Sequence, residues 1–249
     1  MRAHARKSRM AGCATTTRQR AFALSLNMLF AAITAGDLRD VGLYVIALVL
    51  SITVHEFSHA FAAHKLGDPT PEREGRLTLN PTSHTDPIGT LLLPVLAALF
   101  HLPLFGWGRP VPTQPQLYTR KVSMRGGMAL VAAAGPLSNL ALALASVLVL
   151  KLLALVGLLG AGMLEILQLF LLLNLVLMAF NLLPIHPLDG GKVLAWLLPP
   201  RYRHVDDFMI RWGGLILLAL VFAFPQVLSL LLRPFYLAAN WMITSVVLP

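Results

Sequence analysis

Val54-His55-Glu56-Phe57-Ser58-His59 lies inside an otherwise apolar run from Val41 to about Ala63. Histidine and glutamate are costly in hydrocarbon, where no water solvates a charge, so three of them close together inside a span mark a site. On a helix His55 and His59 stand one above the other on one face, the separation two imidazoles need to reach one metal ion. Glu56 lies about 100° further round the helix, beside such a metal and not on it. A carboxylate there is placed to take a proton from a water at the metal. The setting strengthens the motif, because a metal that engages both imidazoles removes the penalty that unpartnered polar groups carry in lipid.

Outward from that stretch the chain is apolar. Hydrophobic residues make up 57% and charged residues 12% of its 249 positions, with a mean hydropathy of +0.72, whereas soluble domains carry about 25% charged residues. The composition predicts an all-α polytopic membrane protein of about five or six transmembrane helices, with no room for a separate soluble domain. The net charge of +9 does not point to nucleic acid, since no helix carries a basic stripe; Lys and Arg mark the cytoplasmic side instead. Cys13 is the single cysteine, which excludes an internal disulfide.

Residues 1–20 hold six Lys and Arg with no acid and read as a basic cytoplasmic tail, leaving 21–249 as one membrane-embedded domain. Ala21 to Ala35 is short, about 22 Å as a helix against a hydrocarbon core of about 30 Å, and reads as an embedded helix in preference to a cleaved signal. After the His55 helix, Leu77 and Leu79 alternate with Arg76, Thr78 and Asn80 between Gly75 and Pro81, which predicts either a short membrane-associated β segment or an ordinary polar loop. A strand there would offer an edge to an extended peptide. Ile88 to Phe105, interrupted by Pro94 and Pro103, either spans or forms a re-entrant hairpin. Spans follow at Met128 to Val156, at Met163 to Leu183 with Glu165 in its first turn, and at Leu215 to Leu232. An apolar tail runs from Pro234 to Pro249.

Between the second and third of these spans, Pro184-Ile185-His186-Pro187-Leu188-Asp189-Gly190-Gly191 breaks the helix. Irregular backbone at membrane depth is tolerated only where protein or a cavity surrounds it. The link after Val156 is uncharged and faces out, while the loops before Met128 and after Asp189 are basic and face the cytoplasm. Asp189 is therefore near a cytoplasmic helix end, the His55 helix runs inward to meet it, and Ile88 to Phe105 should re-enter. Two imidazoles leave a tetrahedral zinc short of one protein ligand. Glu165 is at the opposite membrane face, His64 is off the ligand face, and His101 and His204 sit at loop boundaries. Asp189 is the best third ligand, the alternative being an aspartate hydrogen-bonded to backbone at a helix end.

These residues resemble a known family. His55-Glu56-x-x-His59 with Asn181-Leu-Leu-Pro184-Ile-His-Pro187-Leu188-Asp189-Gly190 looks like the site-2 proteases, intramembrane zinc metalloproteases, and specifically their compact prokaryotic type without a PDZ or CBS domain. Gly75-Arg-Leu-Thr-Leu-Asn-Pro81, Asp86-Pro-Ile-Gly-Thr90, Gly106-Trp-Gly-Arg-Pro-Val-Pro112 and Gly135-Pro-Leu-Ser-Asn139 match the same family. The resemblance covers about Val41 to Leu198 and implies a three-helix catalytic core. It implies one Zn2+ on His55, His59 and Asp189, with Glu56 as general base and then acid. Asn181 and Asn139 would lie at the active site, where a carboxamide can bond a substrate backbone or an oxyanion. For Asn139 an interhelical hydrogen bond is an equal reading.

The implied activity is hydrolysis of peptide bonds within or near transmembrane segments, the regulated proteolysis of single-span membrane proteins in a prokaryotic plasma membrane. The active site would lie nearer the cytoplasmic side. His84 stands where compact relatives carry a histidine. His186 departs from the usual P-P-L-D-G; it either contacts the metal or substrate or, the preferred reading, has no special purpose at a wet helix end. A zinc transporter would need ligands along a through-path, and the chain offers none beyond Asp189. A prenyl-protein-type protease would need a glutamate as third ligand, and Glu165 is at the wrong depth. An inactive membrane scaffold would not need every catalytic position, and all are present.

Overall fold

A computed structural model describes residues 38–100, 106–119 and 121–247. The basic segment 1–20, the apolar run 21–35 and His101 lie outside them. The structure divides into two units, one of Met1–Val45 with Pro87–Gly106 and one of Ile46–Asp86 with Trp107–Pro249.

Helix α1, Leu38–Lys65, carries Asp40 in its first turn and His64 and Lys65 in its last, charges that suit the helix dipole. It stops at Gly67, whose φ of 100° lies in the left-handed region that favours glycine. In the first unit, Pro87–Leu92 forms a wide π-helical segment leading into α2, Leu93–Leu99. The apolar helix Pro87–Ala97 is too short to cross a bilayer.

In the second unit α3, Met124–Leu155, begins where the Ser123 hydroxyl accepts from the Gly126 N–H, and it continues through Pro136. Helix α4 is Ala161–Asn181, α5 Asp189–Leu197, α6 Arg203–Phe222 and α7 Pro225–Trp241. Ala143 of α3, Leu171, Leu175 and Met178 of α4, and Ala239 of α7 form one buried core, and the small Ala143 and Ala239 let the helices approach closely. A second cluster joins Ala63 at the end of α1, Tyr118 and Val131 of α3.

Four helices among the described residues are long and apolar enough to cross a membrane: Arg39–Lys65, Met124–Leu155, Ala161–Asn181 and Pro225–Thr244. The protein is an all-α integral membrane protein, and no strand occurs among the described residues.

Of the two readings of residues 76–80 the polar loop holds, and three other expectations are corrected. Residues 76–80 are not a strand: the Thr78 hydroxyl accepts from the Asn80 N–H at 3.1 Å, and the Asn80 side chain accepts from the Thr82 N–H at 3.1 Å. Such local bonds compete with a ladder. Among the described residues the β pairing that forms is one antiparallel bridge, Thr85 to Gly108.

The expected span Leu215 to Leu232 is instead cut at Ala223 and Phe224. Pro225 has no N–H to give and pushes the residue before it out of the helical region, so a new helix starts there and carries the last candidate span. The segment after Asp189, expected as a polar loop, holds α5 and the start of α6. Glu165 also lies beyond the first turn of α4.

Candidate metal centre

Every residue of the centre belongs to the second unit. His55 and His59, one turn apart on α1, place their Nε2 atoms 3.0 Å from each other. Asp189 Oδ2 lies 3.2 Å from His55 Nε2 and 3.1 Å from His59 Nε2. All three side chains are buried, and their ligand atoms fit around a single metal ion. Asp189 is the first residue of α5, where the helix dipole favours a negative charge.

The opposite edges of the rings decide what the Nε2 atoms can do. His59 Nδ1 lies 2.7 Å from the Val131 carbonyl oxygen, which only accepts, so Nδ1 carries a proton and, in the neutral ring, Nε2 holds a lone pair. His55 Nδ1 lies 2.6 Å from Asn139 Oδ1, likewise an acceptor. With both rings neutral, two nitrogen lone pairs and a carboxylate oxygen face one another. Such a set repels itself unless a cation sits among it, and two imidazoles with a carboxylate suit zinc.

The wall of the site is Gly135. A Cβ at Gly135 would stand 2.5 Å from His59 Nε2 and 2.6 Å from His55 Nε2. Next in sequence is Pro136, and one turn on from Gly135 comes Asn139, so the Gly135-Pro-Leu-Ser-Asn139 stretch supplies both the space for the rings and the anchor for one of them.

Glu56 is half-buried and is not one of the three residues that could ligate the ion. Its Oε2 accepts from the Val111 N–H at 3.2 Å. The loop bearing Val111 is fixed on both sides. Gly108 pairs with Thr85, the Arg109 N–H donates to the His84 carbonyl at 2.8 Å, and the Gln114 N–H donates to the buried Asp68 carboxylate at 2.6 Å. His84, for which the sequence suggested no role, is fully buried and donates from Nε2 to the Thr78 carbonyl at 2.7 Å, so it anchors this loop's neighbour.

The remaining expected residues separate. Asn139 is in the centre. Asn181 is half-buried and donates to the Leu177 carbonyl of its own helix at 3.0 Å; no hydrogen bond among the described residues joins it to the triad. His186 bonds Asp206 of α6 at 3.1 Å, and Arg125 approaches the same carboxylate at 3.8 Å, so this histidine ties the broken segment to α6. Gly213 makes that contact close, since a Cβ there would strike the His186 carbonyl.

Ser51 and Asn174 were not singled out from sequence. Both are polar residues in apolar runs, which is the signal that would have found them. Asn174 Oδ1 accepts from Asn139 Nδ2 at 2.8 Å, and its own Nδ2 donates to Ser51 Oγ and to the Phe170 carbonyl, each at 2.9 Å.

A helical membrane protein with a buried site of two histidines and one aspartate is thereby defined. The family model described as "Peptidase family M50" matches residues 156–220, the part that contains Asp189. A relative from Bacillus subtilis named "Putative zinc metalloprotease YwhC" is 39% identical over 181 residues, 71% of this chain and 78% of the relative. One from Mycolicibacterium smegmatis named "Putative zinc metalloprotease Rip2" is 35% identical over 204 residues, 77% of this chain and 72% of the relative. Its namesake from Mycobacterium tuberculosis is 34% identical over 173 residues, 67% and 62% of the two chains. No solved structure matches the chain significantly. The chain belongs to peptidase family M50, the site-2 protease family.

Proposed function

We propose that this chain is an intramembrane zinc metalloendopeptidase in which His55, His59 and Asp189 hold one zinc ion and Glu56 moves the protons. The observation that carries this reading is the convergence of the three ligand atoms, 3.0 to 3.2 Å apart, with the Glu56 carboxylate on the next residue of the same helix. When bound, zinc would supply a Lewis acid that polarises a peptide carbonyl and acidifies a water.

The chain's own residues do the rest. Glu56 takes a proton from the attacking water and delivers it to the leaving nitrogen, so one carboxylate serves as base and then acid. The Val111 N–H orients Oε2 for both steps. His55 is held by Asn139 and His59 by the Val131 carbonyl, so neither ring swings as charge develops. Lys192 Nζ stands 3.5 Å from Asp189 Oδ1 and stabilises that carboxylate from its outer edge.

The relatives' names support the substrate class, peptide bonds, and the embedded site supports a membrane-protein substrate, which we take to be single-span. A transmembrane helix already bonds its carbonyls internally, so the substrate must unwind locally before one is free to react. The basic loops support placement of the site toward the cytoplasmic side of a prokaryotic plasma membrane, with 1–20 as a tail and 21–249 as one protease domain whose core is about 41–198. Asn181 gives one amide hydrogen to the Leu177 carbonyl and keeps its carboxamide oxygen for an unwound substrate.

The test is reconstitution of wild type and Glu56→Gln with a panel of single-span proteins. Cleavage by wild type, with zinc retained and cleavage lost by about 10²–10⁴-fold in the variant, is expected for a general base. Cleavage that survives Glu56→Gln refutes its role, and zinc-loaded wild type that cleaves nothing in the panel favours a scaffold.

A further inference from the structure

We propose that Asn174, together with Ser51, is a positioning residue that selects the metal-binding tautomer of His55 without touching the metal, His55 or substrate. The juxtaposition is a chain of side chains running from a backbone carbonyl of α4 across α3 to α1. Asn174, Asn139 and Ser51 are all fully buried.

The direction of the chain follows from its first member. A carboxamide presents a donor on one side and an acceptor on the other, and its partners decide which is which. Here the Phe170 carbonyl settles it, because a carbonyl accepts only. The side of Asn174 that lies 2.9 Å from that oxygen is its NH2, which also donates to Ser51 Oγ. Asn174 then has its oxygen toward Asn139, 2.8 Å away, and must receive a proton from the Asn139 amide nitrogen. Asn139 in turn has its oxygen toward His55 Nδ1, 2.6 Å away, and that nitrogen must be the protonated one. Each step leaves the next residue one choice.

The choice matters because His55 has a competing state. With the proton on Nε2, His55 would donate across 3.2 Å to Asp189 Oδ2, satisfying the carboxylate and closing the site to a cation. His59 faces no such choice, as the Val131 carbonyl fixes its Nδ1 directly. The His55 partner is instead a rotatable amide, which would accept either tautomer if left to itself. Asn174 removes that freedom. A hydrogen-bonded partner on the far edge of a ligating imidazole fixes its tautomer and orientation, and Asn174 extends that control by one residue.

The inference rests on the reading that the triad holds zinc, and the two are separable by experiment. Zinc affinity is measured by chelator competition for wild type, Asn139→Leu, Asn174→Leu and the double variant, and the His55 tautomer of each zinc-free protein by long-range 15N–1H correlation. Asn139→Leu should lose about 10- to 100-fold in zinc affinity, the usual cost of a lost imidazole partner. Asn174→Leu should lose about 10-fold and show a mixed tautomer, and should lose nothing further when Asn139 is already Leu, because it acts only through Asn139.

Losses that multiply in the double variant would overturn the proposal, as would unchanged affinity and tautomer in Asn174→Leu. Zinc-free wild type decides the matter if the variants do not fold. Protonated Nδ1 on His55 is expected, and protonated Nε2 overturns the proposal. Wild type that binds no zinc at all refutes the metal-site reading instead.

Discussion

On the inner side of the His55, His59 and Asp189 triad every partner is buried and has one orientation: the Val131 carbonyl, Asn139, and behind it Asn174 and Ser51. On the outer side the partners are half-exposed and exchangeable. Lys192 reaches Asp189 Oδ1 at 3.5 Å on a flexible stem, and Glu56 Oε2 is held by one backbone N–H of a loop. The inner side fixes where electron pairs point and the outer side leaves room for atoms that must come and go. A site that binds a metal and turns over substrate needs both, and here they are divided between a buried side and a half-exposed one.

Substitutions can break this division in order of expected effect. His59→Ala or Asp189→Ala removes a ligand atom and should abolish stoichiometric zinc, checked by metal analysis of the purified protein. Gly135→Ala drives a methyl group between the imidazoles. An overpacked core costs about 1–3 kcal/mol, so zinc affinity should fall by about 5- to 150-fold while the helical fold persists by circular dichroism.

On the outer side, Val111→Pro deletes the N–H that Glu56 accepts. Loss of a hydrogen bond to a charged group, about 1.5–3 kcal/mol, predicts roughly 10-fold or greater loss of proteolysis with zinc content unchanged. Smallest is Asp206→Asn, which weakens the His186 tie to α6. It should cost about 1 kcal/mol of stability in a denaturant titration and leave zinc binding as it was. Equal effects of Gly135→Ala and Val111→Pro on zinc would erase the distinction between the two sides.

Much of the centre was legible because it is written in local spacing. His55, Glu56 and His59 need only helix periodicity, and Asp189 is conspicuous as an acid at a proline- and glycine-broken helix inside an apolar region. What periodicity cannot convey is which helix faces meet. Asn174 and Ser51 are separated by 123 residues, and Val111 from Glu56 by 55, so their pairing exists only after packing. The bond to the Val131 carbonyl leaves no trace in residue type at all. Residues 76–80 allowed two readings for a different reason: their alternation suits a strand, but Thr78 and Asn80 turn their side chains onto nearby backbone N–H groups. The last span was misplaced because apolar content from Leu215 to Leu232 outweighed a single proline, Pro225, that sets where the helix begins.

Zinc-edge X-ray absorption on the purified full chain tests the central claim most directly. Two imidazole nitrogens and carboxylate oxygen, all at about 2.0–2.2 Å, are the predicted coordination, with the carboxylate contribution lost in Asp189→Ala. A sulfur scatterer at about 2.3 Å, or a spectrum identical in wild type and Asp189→Ala, would contradict a centre built from His55, His59 and Asp189.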